Sequence, residues 1–81
     1  MTKQDQELLL EIAEECEFAA EPMNDYSGRG MYGKTTDAVT VAECSVEDAG
    51  FLMGILVERT GRSMKLPFRT DSMGRDGMVI Y

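Results

Sequence analysis

Residues 25–34 of this 81-residue chain read DYSGRGMYGK, and the interpretation of this stretch decides the fold. Residues 28–35 match the phosphate-loop pattern G-x-x-x-x-G-K-S/T letter for letter, and their three glycines also match G-x-G-x-x-G. Both motifs hold phosphates where a buried strand leads into them and a helix follows. Here a helical pattern and Pro22 precede the glycines, and a β-branched run follows them. We therefore interpret residues 25–34 as a bent β connection and not as a nucleotide-hydrolysing loop.

The residues that follow this connection predict a strand. Thr36–Ala42 reads TDAVTVA, in which β-branched residues alternate with others. Tyr26 and the adjacent Met31 and Tyr32 favour a preceding strand. We expect residues 25–43 to form a glycine-rich hairpin with its turn near position 33 or 37, because glycine allows the positive φ that turns and bulges need.

The N-terminal side predicts an acidic amphipathic helix over residues 1–21. Thr2 and Asp5 resemble a capping pair, and apolar residues recur every three or four positions to about Ala20. Pro22 is expected to end the helix. The first 25 residues hold eight acidic residues and one lysine, so they carry the whole formal charge of −7. Four glutamates lie mostly opposite the apolar stripe: Glu7, Glu11, Glu14 and Glu15.

A second, central helix is predicted over residues 45–60. Ser45 and Asp48 suggest an N-cap pair at its start. Apolar residues lie around most of its circumference, which is typical of a helix at the centre of a core or covered by a partner. Gly50 and Gly54 are four positions apart, and we expect them to allow close packing against the sheet or the first helix.

Residues 64–81 are predicted to supply two C-terminal strands. The first, near residues 64–70, is expected at a sheet edge because Pro67 cannot lie in a central strand. The second is residues 78–81. The order α-β-β-α-β-β predicts an α+β fold with two helices packed on one face of a small, mainly antiparallel sheet. A chain of this length predicts a single domain, residues 1–81.

The residue types disfavour enzymatic and metal chemistry. The chain has no histidine, which is the commonest general base and metal ligand. No carboxylates are paired in an apolar setting that predicts a shifted pKa. Cys16 and Cys44 lie in apolar-periodic contexts and are expected to be buried free thiols. We expect a protein with no catalytic residues, no cofactor and no metal.

Charge and hydropathy also bear on location and partners. The first residues show no signal-peptide pattern, and no apolar run reaches the roughly 20 residues of a membrane span. We therefore expect a cytoplasmic protein that does not bind membranes. Direct nucleic-acid binding is not expected, because the acidic N-terminal third would repel phosphates. The same charge would attract a basic protein surface, although an acidic face is also the usual form of a solvated helix.

Two polar turns, residues 25–34 and residues 71–77, are candidate binding sites. The first could hold an anionic or aromatic ligand through backbone donors, charge and stacking, or its glycines could simply form a bulged hairpin with its tyrosines at the core rim. The second, residues 71–77, could cap its own backbone. Alternatively it forms a second wall, with Arg29 near Asp71 and Tyr26 near Ser72. The candidate ligand- or partner-binding residues are Tyr26, Ser27, Arg29, Tyr32, Lys34, Asp71 and Ser72.

Three segments of the chain resemble a known group of proteins. They are DYSGRGMYG at residues 25–33, DSMG at residues 71–74 and MVIY at residues 78–81. Together they resemble small uncharacterised proteins encoded by phages and prophages. The resemblance implies a viral or mobile-element setting, in which small acidic proteins often bind and block a host factor.

The sequence leaves three functional hypotheses. The first is a non-enzymatic phage-type protein in the host cytoplasm that blocks or modulates a host protein, for example in a defence system. The second is a small-ligand binder, for a nucleotide signal, that uses the two glycine-rich turns. The third is an oligomeric structural or accessory protein, with a homodimer suggested by the apolar second helix.

Overall fold

The computed structural model describes residues 1–61, 68–74 and 77–81. Two helices and four strands follow one another as α1 Lys3–Glu15, β1 Ala20–Tyr26, β2 Thr36–Ala42, α2 Val46–Thr60, β3 Thr70–Ser72 and β4 Gly77–Ile80. The predicted α+β fold and its α-β-β-α-β-β order are therefore confirmed. Of the edge strand predicted near residues 64–70, residues 64–67 lie outside the described residues, and β3 begins only at its last residue, Thr70.

The four strands form one antiparallel sheet in the order β1-β2-β4-β3. Both helices pack on the same face, because side chains alternate along each strand and the same alternate set of β2 and β4 residues meets both helices. Residues at the centre of this main core are fully buried: Leu9, Ile12, Val39, Val41, Leu52, Leu56 and Ile80. The other sheet face remains free for the connection between β1 and β2.

The predicted second helix is confirmed in its bounds and caps. The Ser45 hydroxyl accepts a hydrogen bond from the Asp48 amide at 3.0 Å, and the Asp48 carboxylate accepts one from the Ser45 amide at 3.1 Å. Gly61 ends the helix in the left-handed conformation, with φ of 67°. Local sequence signals therefore predict the two ends of α2.

The first helix begins as predicted but ends earlier. The Thr2 hydroxyl accepts a hydrogen bond from the Asp5 amide at 3.1 Å. The helix ends at Glu15, because Glu17 adopts the left-handed conformation with φ of 64° and the Phe18 amide bonds back to the carbonyl of Ala13. The prediction that the helix continues to residue 20 or 21 and ends at Pro22 is wrong.

Pro22 lies instead within β1, which starts the hairpin earlier than predicted. The Ala42 amide donates to the carbonyl of Ala19, so by alternation the Pro22 nitrogen faces away from β2. A proline is tolerated there because β1 is an edge strand and no ladder hydrogen bond is lost. The connection between the two strands is residues 27–35, and residues 31–32 lie in it and not in a strand.

A bulge near the end of β1 is filled by a polar side chain from α1. The pairing of β1 with β2 shifts between Met23 and Tyr26, where Asp25 has a positive φ of 57°. Gln6 is only 2% exposed, and its amide nitrogen donates to the Ala38 carbonyl at 2.8 Å and to Asn24 Oδ1 at 3.3 Å. The Gln6 side chain therefore ties the first helix to both strands of the hairpin.

The outer face of α2 does not pack as predicted. A Cβ atom added at Gly50 or Gly54 would meet no atom of the described chain within 4 Å, so the expected close packing at these glycines is wrong. Phe51 and Val46 are 60% and 67% exposed. Coverage of this face by a second copy stays a prediction.

Cys44 is buried and Cys16 is half-buried, and both thiols are free. In the part of the chain that the structure describes, neither helix has the length and apolar character to cross a membrane.

Candidate functional site

The two polar turns meet at the carboxylate of Asp71. Tyr26 Oη donates to Asp71 Oδ2 at 2.6 Å, and the Arg29 amide donates to the same oxygen at 3.3 Å. Tyr81 Oη approaches the other oxygen, Oδ1, at 3.5 Å. Asp71 pairs with Val79 in the sheet, so its side chain lies on the face opposite the helices, where the first turn also lies.

A second, small apolar cluster supports this meeting point. The rings of Tyr26 and Tyr81 are 5.1 Å apart between centroids and tilted by 57°. They pack with the buried Ala38 and Val79, and Met31 of the first turn contacts the cluster. The first turn is therefore folded over the free sheet face and fixed there by packing as well as by hydrogen bonds.

A glycine is required where the turn crosses the ring of Tyr81. A Cβ atom added at Gly28 would overlap the phenol ring of Tyr81. The Gly28 carbonyl accepts from the Met31 amide at 3.2 Å, which closes the turn. The close approach of backbone to ring thus explains one glycine of the motif without any phosphate ligand.

The hydrogen bond between Tyr26 and Asp71 shifts the pKa of both groups. It is the main cause that raises the pKa of Tyr26 to about 12, and burial and the Asp71 charge add to it. The same bond is the main cause that lowers the pKa of Asp71; burial opposes it, and the Arg29 amide and charge and Tyr81 assist it. The sequence shows no carboxylate in an apolar setting that predicts a shifted pKa, and this shift arises instead from a hydrogen bond between residues distant in the chain.

The two turns contact each other as predicted, but some of the atoms and partners differ from the prediction. Arg29 does lie at Asp71, through its backbone amide and not through a guanidinium ion pair. Tyr26 bonds to Asp71 and not to Ser72, because alternation along β3 directs the side chain of Ser72 to the other sheet face. The Ser72 hydroxyl donates to the Gly74 carbonyl at 2.9 Å, which is the local capping role open to a turn serine.

Three of the predicted site residues lie outside this meeting point. Tyr32 is 96% exposed, and Ser27 and Lys34 are also exposed. None of the three makes a side-chain hydrogen bond or ion pair with the described residues. They form the solvent-facing side of the first turn.

Beside the meeting point is an open groove of about 510 Å³. It is lined by Arg29, Gly30, Met53, Phe68, Arg69, Thr70, Asp71 and Tyr81. Sequence reasoning missed Arg69 and Phe68 as site residues. Arg69 exchanges two backbone hydrogen bonds with Tyr81, at 2.8 and 2.9 Å, and antiparallel pairing of the two C-terminal strands was the signal that could have placed it there.

The acidic face of α1 borders a second groove, of about 430 Å³. Glu7, Glu11 and Glu14 are exposed and form no ion pair with the described residues. Glu15 is different, because its Oε2 lies 2.6 Å from Arg59 Nη2. The groove is lined by Leu10, Glu11, Glu14, Phe18, Ala19, Ala20 and Pro22.

The described residues contain no group of three or more histidine, cysteine, aspartate or glutamate side chains that could hold a metal ion. The chain matches no protein-family model, and it shows no significant similarity to curated proteins or to solved structures. The geometry of the two grooves is therefore the basis for functional inference.

Proposed function

We propose that this chain is a non-enzymatic binding protein that blocks or modulates another protein and docks through the acidic outer face of α1. The observation that carries this proposal is the groove between α1 and β1, whose lining combines apolar and acidic residues. Leu10, Phe18 and Pro22 are the large apolar residues of this lining, and Glu11 and Glu14 are its acidic residues.

The chemistry of the groove favours a partner with a basic segment that also carries an apolar side chain. Burial of one large apolar side chain contributes roughly 1.5–3 kcal/mol, whereas an exposed ion pair contributes about 0–1 kcal/mol. The apolar residues of the groove would therefore supply most of the affinity. The unpaired Glu7, Glu11 and Glu14 would select a basic partner and accelerate its association.

The composition and the resemblance support the rest of the proposal. The absence of histidine supports a binding role over a catalytic one. The resemblance to phage and prophage proteins supports a host protein as the target, with a component of a defence system as one example. In this setting the small domain would act by covering a basic surface that the target needs.

The experiment compares two variants with the same change in charge. E7Q/E11Q/E14Q neutralises the proposed docking face, and E43Q/E47Q/E58Q neutralises three exposed glutamates elsewhere. Each variant and the wild type are used to capture proteins from a bacterial host lysate, and the affinity of the captured protein is then measured after purification. We expect the first variant alone to lose at least tenfold in affinity, and the loss to shrink at high salt.

Equal affinities for the two variants would contradict docking through α1, as would a captured protein whose contact surface is acidic. Phe18→Ser tests the apolar part of the groove lining separately. It is expected to weaken binding with little change in salt dependence, because it removes apolar contact and no charge.

A further inference from the structure

We propose that the groove between the two turns binds a nucleotide, with its phosphate held by Arg29 and Arg69. The inference concerns a different surface from the acidic face of α1 and does not depend on it. It uses the residues that line the groove of about 510 Å³ beside Asp71.

The phosphate assignment rests on two arginines from different elements. A Cβ atom at Gly30 would lie 3.9 Å from Arg69 Nη1, so the Arg69 side chain reaches from the start of β3 to the first turn. Arg29 lies on that turn, and both arginines are exposed. Neither forms an ion pair with the described residues. Guanidinium groups are well suited to phosphate because their planar donors bind two oxygens at once.

Asp71 lines the same groove, but its carboxylate forms no ion pair with either arginine. Its Oδ2 already accepts hydrogen bonds from Tyr26 Oη and from the Arg29 amide. Its partners are a phenol and a backbone amide, and neither guanidinium group forms an ion pair with it, so both remain available to a ligand. The lowered pKa of Asp71 agrees with this geometry.

The rest of the groove favours a nucleotide over inorganic phosphate. Small-molecule sites usually have volumes of roughly 300–1,000 Å³ and mainly apolar walls. Met53, Phe68 and Tyr81 supply such walls here, and a bare phosphate would leave them unused. Asp71 Oδ1 has only a long contact of 3.5 Å with Tyr81 Oη, so it is available to accept from a ribose hydroxyl or a base amino group.

The walls are also held in place before any ligand arrives. The first turn is fixed by the bond from Tyr26 to Asp71 and by the packing of Gly28 against Tyr81. Arg69 is fixed at its backbone by two hydrogen bonds to Tyr81. A preformed site loses less conformational entropy on binding, which favours measurable affinity for a small ligand.

The test is a titration of the isotope-labelled protein with AMP, GMP, CMP and UMP, in which the shifts of its amide resonances are the measurement. Adenosine and inorganic phosphate are titrated alongside. We expect at least one nucleotide to bind more tightly than either phosphate or adenosine, with shifts at the groove residues. Arg29→Ala and Arg69→Ala are each expected to weaken that binding by tenfold or more.

Lys34→Ala is the matched control, because Lys34 is an exposed cation on the same turn but outside the groove. It is expected to bind the nucleotide as the wild type does. Arg69→Lys keeps the charge but loses the planar donors, and it is expected to bind more weakly than the wild type. The amide spectrum without ligand shows whether each variant is folded.

Three results would overturn the proposal. They are no shift with any of the four nucleotides, equal affinity for nucleotide and inorganic phosphate, and equal loss in Lys34→Ala and Arg69→Ala. Equal loss in Lys34→Ala and Arg69→Ala would mean that diffuse positive charge attracts the nucleotide and that the groove does not bind it specifically. All three leave the α1 docking proposal intact, because the glutamate variants that test it do not alter this groove.

Discussion

Tyr26 donates a hydrogen bond of 2.6 Å to Asp71, a residue 45 positions further along the chain. This bond connects the end of β1, at one edge of the sheet, with β3, at the other edge. The two strands are never neighbours in the sheet, so the first turn has to cross the free face of β2 and β4 to make the contact. The bond therefore fixes the glycine-rich turn on the sheet.

We predict that Tyr26 and Asp71 contribute jointly to stability. Tyr26→Phe and Asp71→Asn should each lower the free energy of unfolding, because each weakens the same charge-assisted hydrogen bond. The double variant should be less destabilised than the sum of the two single effects. Urea unfolding of the four proteins measures this coupling. Strictly additive losses would show that the bond contributes nothing to the folded state.

The raised pKa of Tyr26 predicts a loss of stability in alkali. A pKa near 12 in the folded state lies above the usual value of 10, so the folded protein holds the phenol proton more tightly than the unfolded chain does. The stability contribution is complete below pH 10 and is lost as the pH rises towards 12. The difference in tyrosinate absorbance between the wild type and Tyr26→Phe reports this titration. Asp71→Asn should move its midpoint down, and a wild-type midpoint near 10 would refute the prediction.

The parts of the fold that sequence analysis predicted well are those determined by local signals. The capping pair of Ser45 and Asp48, with Gly61 at the other end, defines α2 through residues close in the chain. The β-branched alternation of Thr36–Ala42 predicts β2 with its observed bounds. In both cases the pattern had one physical interpretation, and tertiary contacts agree with it.

The misplaced boundary between α1 and β1 shows where local signals fail. Pro22 disfavours a helix and a central strand, so it fits a helix end and an edge strand equally well. The choice is made by pairing with β2, which is a non-local interaction. The helix also stops by a left-handed Glu17, and glutamate gives no sequence signal for that conformation.

The candidate site was predictable only in outline. Two polar turns suggested that Arg29 and Asp71 meet, and they do so. The contribution of Arg69 depends on the register of β3 against β4, which the sequence does not specify. Gln6 was missed because a polar helix residue is usually exposed, and its buried partners arise from a bulge in another element.

Gly28→Ala is predicted to destabilise the protein through a clash with Tyr81. The added methyl group overlaps the phenol ring, and overpacking of this kind typically costs about 1–3 kcal/mol. The measurement is thermal or urea unfolding, in the wild-type background and again with Tyr81→Leu. The cost of Gly28→Ala should fall sharply once the ring is absent. An unchanged cost in the two backgrounds would show that the ring of Tyr81 is not its cause.

Gly50→Ala and Gly54→Ala are predicted to stabilise the protein, in contrast to Gly28→Ala. Both glycines lie within α2, and an added Cβ meets no atom of the described chain within 4 Å. Replacement of glycine by alanine in a helix interior stabilises by roughly 0.5–1 kcal/mol, because it restricts the unfolded chain. Urea unfolding of the two variants tests this. A loss of stability would indicate that this face is covered by a second copy at the concentration used, and dilution would then remove the effect.

Replacement of Gln6 is predicted to destabilise the protein, because its side chain is a buried donor that two strands share. Gln6→Met keeps the length of the side chain but leaves the Ala38 carbonyl without its 2.8 Å partner, at a cost of about 1–3 kcal/mol. Gln6→Glu should cost more than Gln6→Met near neutral pH, because it sets a carboxylate oxygen against a carbonyl oxygen. Acidification should narrow that gap, since a protonated glutamate can donate again. The measurement is the free energy of unfolding of each variant at two pH values. If Gln6→Glu is as stable as the wild type at neutral pH, Gln6 does not act as the donor that holds α1 to the hairpin.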